Sequence, residues 1–217
     1  EYYLPPAAPA VLKGHLEHKG FTVQTLDLNI NVKETFENNN LVIASSFFHA
    51  NRGDTTFQPE LLEQIDTMID GWVDRLLALD PRYIGLSVFS FDSRVACEIV
   101  VQKLKEKKHN SKIFIGGMGL SGRGDTNDED WLEDIKPYID YYIIGEGELA
   151  CENLLKGNFT FPGINSKAPQ IKDLSDLGPA DYKDYDLSSY EQFYSEKQIV
   201  QITGSRGCVR NCTFCNV

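Results

Sequence analysis

The middle of the chain alternates short apolar runs with helical segments, and this pattern constrains the fold more than any other feature. Apolar residues dominate Tyr83–Phe89, Lys112–Ile115 and Asp140–Ile144, which is typical of strands buried on both faces of a parallel sheet. Amphipathic stretches lie between them, over residues 93–108 and 128–137. Such alternation predicts an α/β fold built on a doubly wound parallel sheet with right-handed crossovers.

The flanking segments add further elements toward both ends of this core. A helix is predicted over residues 8–19, and apolar residues recur at helical spacing from Pro59 to Leu77. We expect the second of these helices to pack its apolar stripe on the sheet. A strand is predicted over Phe21–Leu28 and a helix ending near Leu155, whereas residues 31–58 show no clear period.

Several residues that can bind metals lie outside any metal-site pattern. We expect His15 and His18 on the solvated side of the first helix, with a ligand pair at i, i+3 as the less favoured alternative. His49 is expected to be an ordinary core or surface residue. Cys97 and Cys151 fall in predicted helices, where small core residues are the better interpretation.

Composition limits the partners of this chain. The formal net charge of −11 argues against a surface for nucleic acid or an anionic membrane, because both need clustered Lys and Arg. No apolar run approaches the roughly 20 residues of a membrane span, and the printed sequence opens without a signal-peptide pattern. Five cysteines suit a reducing compartment. We therefore expect a cytoplasmic protein with no membrane partner and no direct nucleic-acid surface in these residues.

Three cysteines stand close together near the end of the sequence. Cys208, Cys212 and Cys215 follow a run, Gln198–Ile202, that predicts a strand, and a glycine-containing loop, residues 203–207. Three thiolates on one loop can converge on a single metal centre, and on a four-iron cluster they leave one iron open. Structural zinc sites usually have four ligands, and a disulfide needs an oxidising compartment, so iron–sulfur is the favoured interpretation.

This cysteine arrangement resembles the radical S-adenosylmethionine (SAM) superfamily. Phe214 precedes the third cysteine and Ser205-Arg206-Gly207 precedes the first, which strengthens the match. The resemblance implies that Cys208, Cys212 and Cys215 hold a [4Fe-4S] cluster whose open iron binds SAM. One electron would then cleave SAM to methionine and a 5′-deoxyadenosyl radical, which abstracts hydrogen from an unactivated carbon. It also implies an electron donor such as flavodoxin or ferredoxin, and a small-molecule or peptide substrate held by a barrel.

Small residues follow the predicted strands, where ligands bind in parallel α/β sheets. Glycine lets a large ligand approach the backbone closely. Glu146 and Glu148 stand among these residues, at the start of a predicted helix, where the helix dipole alone accounts for carboxylates. We interpret both glutamates as mainly structural. The predicted ligand-lining residues are Ser87, Ser90, Gly116, Gly117, Gly145 and Gly147.

The spacing of these small residues is similar to that of the cobalamin-binding domain. Ser87-Val88-Phe89 stands in the place of that family's S-x-L, and 26 residues separate Phe89 from Gly116-Gly117. The resemblance implies that Ser87 hydrogen-bonds the nucleotide tail of cobalamin and that the two glycines let the tail pass. The family's D-x-H-x-x-G loop is missing where this chain has Pro5–Pro9, so cobalamin would lack a protein histidine. The alternative is a domain that has lost cobalamin and serves in packing.

Taken together, the motifs resemble radical SAM enzymes that carry a cobalamin-binding domain. The resemblance divides the chain into a Rossmann-like cobalamin-binding-type domain at 1–156 with a truncated first strand, a linker at 157–197, and the start of a radical SAM barrel at 198–217. Both ends look cut, so we expect a fragment that is inactive alone. The implied reaction is cobalamin-dependent methyl transfer to an unactivated carbon. The alternatives are a corrinoid-free radical SAM enzyme of another type, and a non-enzymatic corrinoid-binding or zinc-stabilised module.

Overall fold

A computed structural model of the chain describes residues 4–36, 59–89, 91–107, 109–120, 128–190 and 198–207. Short 3-10 turns lie at Met118–Leu120, Lys136–Tyr138 and Leu187–Ser189. The longer elements are α1 (Ala7–His18), α2 (Leu28–Phe36), α3 (Pro59–Ala78), β1 (Tyr83–Ser87), α4 (Phe91–Glu106), β2 (Lys112–Gly116), α5 (Asp128–Ile135), β3 (Tyr141–Ile144), α6 (Glu148–Leu155) and β4 (Ser166–Lys167).

The strands form one parallel sheet in the order β1-β2-β3-β4. The three strands predicted from apolar runs are therefore confirmed, as is the α/β class with a parallel sheet. Two-residue β4 is an addition that the sequence pattern does not predict. Neighbouring strands follow one another in chain order, so the described sheet contains no reversal of strand order.

Helices cover both faces of the sheet. Alternate residues of each strand point to opposite sides, so each face has its own set of apolar side chains to bury. On one face, Ile84, Ile113 and Ile115 pack with buried residues of α3, α4 and α5. The stripe of α3 thus packs on the sheet as predicted, and proline begins that helix as expected for a first helical position. On the other face, Ile143 packs with Leu16 of α1 and with the buried side of α6.

Helix α1 ends where the sequence predicts, but its burial differs from the prediction. Gly20 has φ +89°, and the amide of Phe21 donates to the carbonyl of Leu16 at 3.0 Å, as in a Schellman motif. His18 is exposed as predicted, whereas the prediction for His15 was wrong: its side chain is 0% exposed. Its Nε2 lies 3.0 Å from Oε2 of Glu152 on α6. The reason is that α1 is covered on two sides instead of one.

The second side of α1 is covered by residues 178–190. Lys13 is 4% exposed and its Nζ lies 2.6 Å from a carboxylate oxygen of Asp184. Ala10, Tyr185 and Tyr190 belong to a third buried cluster. Residues 178–190, within the predicted linker at 157–197, therefore pack against α1 and against Ile30 of α2.

The strand predicted over Phe21–Leu28 was wrong. Residues 21–27 form no strand, and α2 begins at Leu28. The amide and hydroxyl of Thr25 both donate to Oδ2 of Asp184, at 2.7 and 3.1 Å. A side-chain carboxylate thus satisfies this backbone where a neighbouring strand would in a sheet.

The strand predicted over Gln198–Ile202 is also absent. Residues 198–207 are irregular, and Ile202 is 80% exposed. No strand in the described part of the chain pairs with this segment. The hydroxyl of Tyr182 donates instead to the carbonyl of Gln201. None of the described helices is long and apolar enough to cross a membrane.

Candidate functional site

The predicted strand-end residues meet at the carboxyl edge of the sheet. Ser87, the last residue of β1, lies opposite Gly116, the last residue of β2. Gly116 in turn lies opposite Ile143 of β3, and Gly145 follows one residue after that strand ends. Parallel strands all end at the same edge, so the three small residues form a row across neighbouring strands.

The β1 end of this row is open to solvent. Ser87 and Gly85 are exposed and share one side of the strand, and Phe89 beyond the strand is 72% exposed. A side chain on Gly85 would collide with the ring of Phe114, 2.9 Å from one ring carbon, so glycine lets that ring lie across β1. The edge therefore offers a hydroxyl, bare backbone and an exposed aromatic ring to a ligand.

Packing within the protein itself requires glycine at position 117. Its φ is +113°, and a Cβ there would lie 3.1 Å from the carbonyl carbon of Val88 and closer still to its oxygen. Two backbone bonds hold this approach: Val88 donates to Gly116 at 2.7 Å, and Gly119 donates to Val88 at 2.8 Å. A Cβ on Gly116 would meet only an ordinary contact, 3.4 Å from the carbonyl oxygen of Ile143. Gly116 is therefore the glycine of this pair whose bare backbone the fold does not require.

The turn after β3 bounds a cleft at the same edge. Gly145 has φ +95°, and Gly147 is surrounded at ordinary contact distances. The carboxylate of Glu146 accepts a hydrogen bond from the amide of Ile171 at 2.7 Å, which fixes the turn to the chain beyond β4. The cleft has a volume of about 600 Å³ and is lined by Gly145, Glu146, Lys167, Ala168, Pro169 and Gln170.

Arg206 joins this turn to the segment that leads into the cysteines. Its guanidinium forms an ion pair with the carboxylate of Glu148, and its Nη1 lies 3.7 Å from Oε2 of Glu146. Hydrogen bonding to Glu148 and the charge of both carboxylates raise the pKa of Arg206, although partial burial opposes this. We call these three residues the Arg206 cluster. The sequence interpretation of both glutamates as helix-dipole residues missed this contact.

The predicted cluster ligands Cys208, Cys212 and Cys215 lie outside the described residues, as do Ser90 and His49. Among the residues that the structure describes, no group of three His, Cys, Asp or Glu side chains is arranged to hold a metal ion.

The other two cysteines are core residues. Cys97 in α4 and Cys151 in α6 are buried. Burial, with a smaller contribution from a nearby glutamate, raises the pKa of each thiol to about 12. Cys97 belongs to the larger buried cluster and Cys151 to the cluster on the other face, so the interpretation of these cysteines as core residues is confirmed.

A scan against protein-family models gave no match, and a search of curated proteins gave none either. The class that the described residues define is thus a fold: an α/β domain whose four-stranded parallel sheet has helices on both faces. Its carboxyl edge gathers small residues, a cleft and the segment that precedes Cys208.

Proposed function

We propose that this chain belongs to a radical SAM enzyme in which Cys208, Cys212 and Cys215 hold a [4Fe-4S] cluster. The observation that carries the proposal is the spacing of three cysteines within one short loop. The burial of Cys97 and Cys151 in separate helices supports it, because a thiol packed in the core is not available as the fourth ligand of a zinc site. When bound, the cluster supplies one-electron cleavage of SAM, which leads to hydrogen abstraction from an unactivated carbon.

The position of the preceding segment supports a site at the carboxyl edge of the sheet. Arg206 is bound by Glu148 at the turn after β3. A Cβ on Gly207 would lie 3.4 Å from the side-chain amide of Gln170, which lines the cleft. Cys208 follows Gly207 directly in the sequence, which supports a cluster site near that cleft. The contacts of Arg206 and Gly207 thus support a cluster site near the strand ends.

Cobalamin is the proposed second cofactor, with methyl transfer to carbon as the reaction. Ser87 supports it, since its exposed hydroxyl can hydrogen-bond a polar ligand at the strand ends. Gly116 supports it by leaving backbone free beside that hydroxyl. Exposed Phe89 provides an apolar surface for a large planar group.

A second candidate is a radical SAM enzyme whose sheet domain binds no corrinoid. The observation that favours it is the packing of Gly117 against Val88, because this packing explains glycine at position 117 without any ligand. In that case the domain serves to position the cysteine loop, and the reaction is of another type.

The cluster is tested by anaerobic reconstitution of the natural full-length protein with iron and sulfide. Cys208→Ala, Cys212→Ala and Cys215→Ala should each abolish iron retention and the release of 5′-deoxyadenosine from SAM. Cys97→Ala and Cys151→Ala are matched controls, and we expect them to keep the wild-type iron content. Loss of iron in either control would show that the ligands have been assigned wrongly.

Cobalamin binding is tested by anaerobic titration of the same protein with hydroxocobalamin. We expect saturable binding, without the spectrum of a histidine-bound cobalt, and about tenfold weaker binding in Gly116→Ala, equivalent to ~1.4 kcal/mol. Gly71→Ala, in an open part of α3, should bind like wild type. Absence of binding by folded wild-type protein would favour the corrinoid-free candidate.

A further inference from the structure

We propose that Arg206 is a positioning residue: its ion pairs with Glu148 and Glu146 fix the start of the cysteine loop to the turn after β3. The contact itself is a property of the described fold. Its consequence, that it sets where the cysteines hold their cluster relative to the strand ends, rests on the function proposed above.

The burial of Glu148 makes this ion pair different from a surface pair. Glu148 is buried in the first turn of α6, and Arg206 is three-quarters buried in its side chain. A buried carboxylate without a partner is strongly unfavourable, so the partner has to stay in place. The pair between Lys136 and Glu133 is a contrast, because both side chains are largely exposed and such pairs contribute little.

Glu146 adds a second acceptor and a second anchor. Its carboxylate lies near Nη1 of Arg206 and also accepts the amide of Ile171. Both glutamates sit on the same turn, two residues apart, so the guanidinium contacts one rigid unit. A planar guanidinium held by two carboxylates has few orientations open to it.

The short distance along the chain transmits this restraint to the first cysteine. Cys208 is two residues beyond Arg206, and two residues of extended chain span at most about 7 Å. Fixing Arg206 therefore limits how far the Cα of Cys208 can lie from the turn. Without Arg206, residues 198–207 keep few described contacts to the sheet domain, as the exposure of Ile202 indicates.

The contact is tested first in the 217-residue chain without metal, by a double-mutant cycle in urea unfolding. Arg206→Gln and Glu148→Gln should be coupled by about fivefold or more in the unfolding equilibrium constant. Lys136→Gln combined with Glu148→Gln is the matched control and should show no coupling. Coupling of less than about twofold between Arg206 and Glu148 would overturn the proposal.

The positioning role is tested in the reconstituted full-length protein by EPR. Arg206→Gln should retain wild-type iron, while the SAM concentration that half-saturates the change in the EPR signal rises about tenfold. Arg206→Lys should recover part of this loss. An unchanged SAM titration in Arg206→Gln would overturn the positioning role even if the coupling is present. Wild-type protein that binds no iron would instead refute the proposed function and leave the unfolding cycle as the test of the contact.

Discussion

Two adjacent glycines at the end of β2 serve the fold differently. Gly117 has a positive φ and packs directly against the backbone of Val88, so any side chain there strains the chain and displaces a carbonyl. Gly116 has ordinary surroundings, and an added methyl would touch its neighbour at 3.4 Å. A substitution at Gly117 therefore reports on folding, and only a substitution at Gly116 can report on a ligand.

We predict that Gly117→Ala destabilises the protein by about 2 kcal/mol or more, because it combines backbone strain with overpacking. Gly116→Ala should cost less than about 1 kcal/mol. Urea unfolding of the two variants measures both values. Equal stabilities would mean that the close approach of Gly117 to Val88 does not exist in the protein.

At the scale of elements, α1 is held by close backbone contact with residues 178–190. A Cβ on Gly14 would lie 2.7 Å from the carbonyl carbon of Pro179 and closer still to its oxygen. A Cβ on Gly178 would in turn lie 2.9 Å from the carbonyl carbon of Gly14. Glycine at both positions lets this segment lie directly on the helix.

The substitution Gly14→Ala tests that contact, because helix propensity and packing predict opposite results. Alanine is favoured over glycine inside a helix by about 1 kcal/mol, yet here we predict a loss of about 2 kcal/mol or more. Gly71→Ala in α3 is the matched control: nothing lies within 4 Å of its Cβ position, so it should stabilise the protein. Stabilisation by both substitutions would refute the packing of residues 178–190 on α1.

Two carboxylates that hold α1 make stability depend on acid. Burial alone raises the pKa of Asp184, but hydrogen bonds from Lys13 and Thr25 outweigh it and hold that pKa below its ordinary value of 3.8. Glu152 is similar: burial raises its pKa, but Lys156 and His15 outweigh this and hold the pKa below its ordinary value of 4.5. A lowered pKa in the folded state adds stability above the unfolded pKa, and this is lost as pH falls through the folded value.

We therefore predict that stability falls as pH drops below about 4.5. Asp184→Asn should make this fall shallower and should lower stability at neutral pH by about 2 kcal/mol, because it removes the main partner of buried Lys13. Thermal unfolding from pH 7 to pH 3 measures both effects, with the exposed Asp134→Asn as control. A pH profile identical to wild type in Asp184→Asn would contradict this role.

The sequence predicts elements with local patterns and misses those that depend on distant partners. The apolar runs of β1 to β3 and the apolar stripe of α3 can be predicted from the sequence, because the residues that are buried on the sheet are themselves apolar and regularly spaced. The sequence of residues 21–28 is compatible with a strand. The structure forms none there, and the amide of Thr25 donates instead to Asp184, which is far away in the sequence. His15 follows the same rule, since its burial depends on α6 and on residues 178–190.

The candidate site shows the same division. Small residues after each strand predict where a ligand approaches, and the register places Ser87 beside Gly116. The contact between Arg206 and Glu148 spans 58 residues, and no spacing in the sequence indicates it. The sequence shows an arginine two residues before a cysteine and a glutamate after a predicted strand. Whether these two side chains come into contact depends on the whole fold.

At the scale of the molecule, the fold brings residues 198–207 to the carboxyl edge of the sheet. Residues 178–190 pack on α1, and Tyr182 contacts Gln201 of the segment before the cysteines. Arg206 then binds the turn after β3, at the edge where Ser87 and Gly116 end their strands. This arrangement brings the segment that precedes Cys208 to the edge that carries the surface proposed for cobalamin.

The most direct measurement is the EPR spectrum of the anaerobically reconstituted full-length protein after reduction, recorded with and without SAM alongside its iron content. We predict about four iron atoms per chain and a reduced-cluster signal that changes when SAM is added, because three cysteines leave one iron open to SAM. Protein that takes up zinc but no iron, or a cluster signal that SAM leaves unchanged, would contradict the proposed function.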